Sequence, residues 1–263
     1  MTELISSSSN PLVKQIRALR QRKGRDETGL FLVEGILPVG EAIEAGWKIE
    51  WLIHAPEQLT SDFARRMIEE QALRGVRCAA LPSDLFNSLA EKDNPQGILA
   101  IVRQRHIGLE DEALKGFHFA MALVSPQDPG NVGTILRSLD AVGGDGLFLL
   151  DGGVDPYHPS SVRASMGTIF WKPIVQDSFK DFNKWRRAKD FDLIGSSAHA
   201  KTDYRVFKWS SRPTILLMGN EQKGLSPEQL TECDASLSIP MKGRASSLNL
   251  AVAAGILLFA IAE

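Results

Sequence analysis

Thr214-Ile215-Leu216-Leu217-Met218-Gly219-Asn220-Glu221-Gln222-Lys223-Gly224-Leu225 is an apolar run that stops on a loop bracketed by two glycines. Further on, Ile239-Pro240-Met241 ends a second apolar run and leads through Lys242 to Ser246 into Ser247-Leu248-Asn249 and an apolar helix. Each run reads as a buried strand, and the glycines after the first let a backbone loop approach a ligand closely. Two such loops, read as lying at neighbouring strand ends, predict a small-molecule site. A third segment, Ser125-Pro126-Gln127-Asp128-Pro129-Gly130-Asn131-Val132-Gly133-Thr134-Ile135-Leu136-Arg137, joins the run Phe117 to Val124 to an amphipathic helix.

Working outward, strands near 117–124, 146–150, 191–195, 214–218 and 235–239 alternate with helices near 131–142, 160–168, 178–188, 226–232 and 247–262. This alternation predicts an α/β fold with a parallel sheet covered on both faces. No strand runs into Gly-x-Gly-x-x-Gly at the start of a helix, which argues against a dinucleotide-binding fold. Toward the amino terminus, a strand at Phe31-Leu32-Val33, a helix from Pro38 to Ala45, a strand from Ile49 to Ile53 and a helix around Asp62 to Leu73 outline a smaller α/β unit. Arg103-Gln104-Arg105-His106 and the acidic Glu110-Asp111-Glu112 separate the two patterns. The expected division is a first domain over 1–105, a linker over 106–116 and a second domain over 117–263.

With 263 residues, 43% hydrophobic and 24% charged, the chain is long enough to bury a sizeable core in one or two domains. No apolar run reaches the roughly 18 to 20 residues that a membrane span needs, and the polar start, Met1 to Asn10, has no signal-like apolar region, so a cytoplasmic location is expected. Cys78 and Cys233 lie far apart without metal-ligand spacing, and His54, His106, His118, His158 and His199 form no close pair. Neither a metal site nor a histidine-activated nucleophile is expected.

The net charge of −2 does not exclude nucleic acid, because phosphate responds to local field rather than to the sum. Lys14, Arg17, Arg20, Arg22, Lys23 and Arg25 fall within 10–25 with no acidic residue among them. Asn10-Pro11 supplies an N-cap and a first-turn proline, after which Leu12, Ile16 and Leu19 share one helix face while Lys14 and Arg17 point away. Such a face is either a phosphate-contacting surface or a solvated one.

The three motif segments, in this order and spacing, together with Val162-Arg163-Ala164-Ser165-Met166-Gly167, resemble the SpoU, or TrmH, family of RNA ribose 2′-O-methyltransferases. Asn10-Pro11, Arg25, Phe31, Val33-Glu34-Gly35 and Pro95-Gln96-Gly97 match the family's ribosomal-protein-like substrate-binding domain. The resemblance implies a SPOUT α/β catalytic domain whose carboxyl-terminal segment threads a deep trefoil knot, with S-adenosylmethionine held inside it. It also implies an RNA substrate, ribosomal RNA favoured over transfer RNA, and a homodimer paired near its active sites.

Carried over residue by residue, the resemblance gives Gly219, Ile239, Met241 and Leu248 to cofactor binding, and Arg137, Asn131, Glu221 and Asn249 to catalysis. Taken alone, Ile239 and Leu248 are core residues, Glu221 a loop cap, Asn131 an N-cap and Asn249 a polar turn before the last helix. Arg137 suits phosphate clamping and stabilisation of a developing alkoxide better than proton abstraction, because a guanidinium stays protonated. Gln222-Lys223 depart from the family pattern, where glycine and a variable residue are usual, as do Ser160-Ser161 before Val162-Arg163. Two other classes stay open: a silent RNA-binding protein, against which the intact Arg137, Asn131 and Glu221 argue, and an unrelated nucleotide-binding enzyme, against which the missing phosphate-loop glycines argue.

Overall fold

A computed structural model describes residues 2–91 and 94–262. In chain order the elements of the amino-terminal part are β1 (Thr2–Leu4), α1 (Pro11–Leu19), α2 (Arg22–Thr28), β2 (Leu30–Glu34), α3 (Ile36–Glu44), β3 (Ile49–His54), α4 (Asp62–Leu73), β4 (Arg77–Ala80), α5 (Ser83–Asn87) and β5 (Ile98–Arg103). The remainder carries β6 (Phe119–Val124), α6 (Pro129–Ala141), β7 (Gly146–Leu150), α7 (Pro159–Ala164), β8 (Ile174–Asp177), α8 (Phe179–Ala188), β9 (Asp192–Ser196), β10 (Thr202–Asp203), β11 (Thr214–Met218), α9 (Pro227–Thr231), β12 (Ala235–Ser238) and α10 (Leu250–Ala262). Two compact units form: Met1–Arg105 with Tyr157–Trp171, and His106–Pro156 with Lys172–Glu263.

The first unit is built on a mixed sheet ordered β1-β4-β3-β5-β2, in which β5 runs antiparallel to both its neighbours. β5 is buried along Ile98 to Val102 and forms the centre of the unit, although its sequence carries no periodic signal beyond a short apolar run. The segment 157–171 belongs here because its aromatic side chains complete the core. The Phe31 ring lies 4.6 Å from that of Tyr157, and the Trp47 indole N–H donates to the Phe170 carbonyl at 2.8 Å. Arg163, from the segment that resembles a family motif, pairs with Glu91 at 3.0 Å. The helix expected over 160–168 is shorter, since Met166 (φ 52°) and Gly167 (φ 98°) turn left-handed after α7. A Cβ on Gly167 would meet the Glu41 Cγ at 2.6 Å, so any other residue would have to displace Glu41 as well as hold a strained left-handed backbone.

The basic stretch also departs from expectation. Asn10 caps α1 through its side chain, and Leu12, Ile16 and Leu19 are buried while Lys14 and Arg17 are exposed. The helix breaks at Arg20 and Gln21, however, and Arg25 is only 1% exposed, donating to the Leu19 and Arg20 carbonyls at 2.9 and 3.0 Å. Those carbonyls are orphaned by the end of α1, and a buried guanidinium satisfies them. Arg20 donates to the Leu89 carbonyl and faces Glu91, while Arg22 and Lys23 pair with Asp26 and Glu27 at 3.6 and 3.8 Å. A continuous cationic face is therefore not formed.

The second unit holds a sheet ordered β10-β12-β9-β11-β6-β7-β8, with every pair parallel. Its neighbouring strands β11, β6 and β7 are apolar and buried almost throughout, as strands covered on both faces require. Residues 106–116 do not form a free linker: Ile107 bridges to Val175, and Leu114 is buried in this unit's core. The order corrects one expectation directly. β11 and β12, which end in the two most informative loops, are separated by β9, and the strand beside β11 on its other side is β6.

Candidate active site

Because β6 and β11 are neighbours in register, Leu123 opposite Met218, the loops that follow them leave the sheet side by side. Both are held tightly. Ser125 adopts φ 45° and Asp151, at the end of β7, φ 56°, and the Ser125 hydroxyl donates to the Asp151 carbonyl at 3.1 Å. Left-handed conformations in non-glycine residues are strained, and here they turn the chain at adjacent strand ends. Asn220 spans the two loops, donating to the Ser125 carbonyl at 2.9 Å, and its own oxygen accepts the amides of Gln222 and Lys223 at 2.9 and 3.1 Å. Gly219 is required for a reason internal to the loop: a Cβ there would lie 2.1 Å from the Gly224 carbonyl carbon. The loop folds back onto Gly219 before it meets any ligand.

Glu221 reaches across to the β6 loop, where its carboxylate accepts the Gln127 amide at 3.0 Å, the Asp128 amide at 3.2 Å and the Asn131 side-chain N–H at 3.2 Å. Asn249 in turn donates to the Asn131 oxygen at 2.9 Å while its own oxygen accepts the Ala251 amide at 2.9 Å, capping α10. One hydrogen-bonded chain thus links Asn249, Asn131 and Glu221, three residues from three motifs. Asn131 is not the cap of α6, a role filled by Asp128, which accepts the Gly130 amide at 2.7 Å. Instead Asn131 is 8% exposed and mediates between the other two. The loop-cap reading of Glu221 and the polar-turn reading of Asn249 both describe what these side chains do.

A cavity of about 480 Å³ lies against the loops after β11, β12 and β9. Gly219, Ile239, Met241 and Leu248 all line it, with Glu221 at its edge. Ile239 and Leu248 are half-buried wall residues rather than core. Ser196, Ser197 and His199 also line it, a group that sequence reading missed because only the intervening position of β9 brings them there. A second, more open cavity of about 520 Å³ adjoins, lined by Gln127, Asp128, Pro129, Asn131, Glu221, Gln222 and Asn249. Glu221 and Gln222 are common to both.

Arg137 is in neither cavity. Six residues along α6 carry it roughly 9 Å beyond Asn131 and about a third of a turn around the axis. There it is exposed, with no hydrogen bond or ion pair among the described residues. Among the described residues no group of three or more histidine, cysteine, aspartate or glutamate side chains could hold a metal, and no helix is long and apolar enough to cross a membrane. Both cysteines are free thiols, and burial pushes that of Cys233 up to about 12, which leaves it unreactive at neutral pH.

A parallel-sheet unit with three hydrogen-bonded loops beside two adjoining cavities, together with a smaller mixed-sheet unit, defines the class, and comparison with known proteins identifies the family. Residues 118–259 match the SpoU rRNA Methylase family and residues 10–100 the MRM3-like substrate binding domain. The chain is 36% identical over 261 residues to a 23S rRNA (uridine(2479)-2′-O)-methyltransferase of Streptomyces viridochromogenes, covering 96% of this chain and 90% of that one. It is 30% identical to the 23S rRNA (guanosine(2553)-2′-O)-methyltransferase RlmP of Bacillus subtilis, covering 97% of each. A solved rRNA methyltransferase from Sinorhizobium meliloti with S-adenosylmethionine bound superposes with a TM-score of 0.90 at 38% identity, over 99% of this chain and 97% of that one. The chain belongs to the SpoU rRNA methylase family.

The residues present fit that cofactor. The cavity volume lies in the range that encloses a small molecule, and its wall combines apolar side chains with a few polar groups and closely approaching backbone.

Proposed function

We propose that this chain is an S-adenosylmethionine-dependent methyltransferase acting on a ribose 2′-hydroxyl of 23S-type ribosomal RNA. The observation that carries this reading is the pair of adjoining cavities with Glu221 and Gln222 on their common edge. One is suited to the cofactor and the other, open to solvent, to a nucleotide. Both curated relatives described above methylate 23S rRNA at a 2′-oxygen, one on uridine and one on guanosine, which leaves the target base of this chain open.

S-adenosylmethionine, when bound, supplies an electrophilic methyl group that needs no further activation. In this reading, the backbone at Gly219, Ile239, Met241 and Leu248 holds the cofactor. Glu221 acts through others: by fixing Gln127, Asp128 and Asn131 it sets the shape of the nucleotide cavity. Asn131 and Asn249 are the uncharged groups facing the ribose, and holding the hydroxyl in line with the methyl group provides much of the acceleration. Arg137 clamps a neighbouring phosphate and stabilises the developing alkoxide. Its exposed position supports a contact made with something outside this chain's own fold.

The finer features follow the family. Homodimerisation through α10 and the α6 surface is supported by Val252 and Phe259, 52% and 54% exposed on an apolar helix that packs along α6. The trefoil knot is supported by the insertion of β11 between β6 and β9, both earlier in the chain. We assign residues 1–105 to RNA binding and 117–263, apart from the segment 157–171 that packs with the first unit, to methyl transfer, and we assign the protein to the cytoplasm.

Two measurements test the reading. Calorimetry in a chelator should show S-adenosylmethionine and S-adenosylhomocysteine binding; absence of heat and of thermal stabilisation at millimolar ligand would remove it. Ribose-methylation mapping of 23S rRNA from cells with and without the gene should then reveal one lost 2′-O-methyl group.

A further inference from the structure

We infer that Gln222 is a direct contact for the target nucleotide, an inference that rests on the methyltransferase reading above. The two cavities share only Glu221 and Gln222. A methyl group passing from one to the other crosses that shared edge, so a side chain there stands beside the reacting oxygen. The Glu221 carboxylate is already occupied by the two loop amides and the Asn131 side chain. Gln222 is exposed, and its side-chain amide has no hydrogen-bond partner among the described residues.

Its backbone, by contrast, is fixed. The Gln222 amide N–H donates to the Asn220 oxygen, and the Gly224 amide closes the loop on the Asn220 carbonyl at 2.8 Å. An uncommitted amide on a rigid loop carries both a donor pair and an acceptor, the equipment for a base edge or a ribose hydroxyl. Lys223 differs: it lines the cofactor cavity and not the second one. The Gln127 side-chain amide also has no hydrogen-bond partner among the described residues, but it lines the second cavity alone. Gln222 is therefore the uncommitted side chain at the point of transfer.

The test compares wild type with Gln222→Ala and Gln222→Gly. Both retain the backbone N–H that Asn220 accepts, so the loop is kept; a melting temperature equal to that of the wild type verifies this. Three quantities are measured: S-adenosylhomocysteine affinity by calorimetry, affinity for unmodified 23S rRNA transcript with S-adenosylhomocysteine present, and the single-turnover rate. Cofactor affinity should stay within about twofold, while RNA affinity or single-turnover rate falls about five- to fiftyfold, the worth of one or two hydrogen bonds. The slope of RNA affinity against salt should not change, because no charge is removed. Unchanged RNA affinity and rate in both variants would overturn the inference and leave the methyltransferase reading intact. A loss of cofactor affinity as large as the loss of rate would overturn it in favour of a cofactor contact. A wild-type protein that binds cofactor but methylates no transcript would overturn both.

Discussion

Gly219 and Arg137 mark two ways in which a single residue serves this site. A methyl group at position 219 would collide with backbone at Gly224 and Leu225, atoms that cannot rotate away as a side-chain tip can. Gly219→Ala should therefore distort the whole loop, lowering the melting temperature by about 2–8 °C and abolishing cofactor binding in calorimetry. An alanine variant that melts and binds like wild type would show that the loop is softer than this packing implies. Arg137 is the opposite case, exposed and without a hydrogen bond or ion pair among the described residues. Arg137→Ala should leave melting temperature and cofactor affinity unchanged while turnover falls on the order of a hundredfold, the scale of a lost charge-stabilising donor. Arg137→Lys keeps the charge without the planar fork and should recover only part of the rate. Equal turnover for Arg137→Ala and wild type in a single-turnover assay would withdraw the role.

At the scale of elements, α10 carries the next expectation. Leu250, Ala254, Leu257 and Leu258 are buried, whereas Val252 and Phe259, two turns apart on one stripe, are not. Placing glutamate at both positions should yield a folded particle near 28.9 kDa in light scattering, against a wild type of about twice that mass. A wild type already at the lower value would remove the dimer. The same helix illustrates what sequence could reveal. Its apolar character and the glycine-rich loop after β11 are local patterns, as are the strand runs of the parallel sheet, and all were legible. Strand order was not, because the placement of β9 between β11 and β12 depends on pairing that periodicity does not encode. That is why Ser196, Ser197 and His199 went unnoticed beside the cavity. β5 was missed for a related reason: an apolar run flanked by turn residues has no signature of being central. The hydrogen bonds from Asn131 to Glu221 and Asn249 cross 90 and 118 residues of sequence. Motif resemblance named all three residues, but only the fold shows that Glu221 orients a loop.

For the molecule as a whole, the question is how a chain of net charge −2 holds a polyanion. Of the six cations between Asn10 and Arg25, Arg25 and Arg20 satisfy backbone carbonyls, and Arg22 and Lys23 face carboxylates one turn away. Lys14 and Arg17 are left on the exposed face of α1, Arg17 with only a long 3.4 Å bond to the Ser8 carbonyl among the described residues. If α1 grips RNA, these two carry the phosphate contacts. Replacing both with alanine should lower RNA affinity and make the dependence of log affinity on log salt shallower by roughly 0.7 to 0.9 per lost contact. Cofactor affinity should not move. Arg25→Ala should behave differently, lowering stability by about 1–3 kcal/mol, because two carbonyls lose a charged donor in a buried setting. Its effect on RNA binding should vanish once measured well below the melting transition. An unchanged salt slope in the Lys14→Ala, Arg17→Ala double variant would show that α1 is a solvated face and that the phosphate contacts lie elsewhere on the chain.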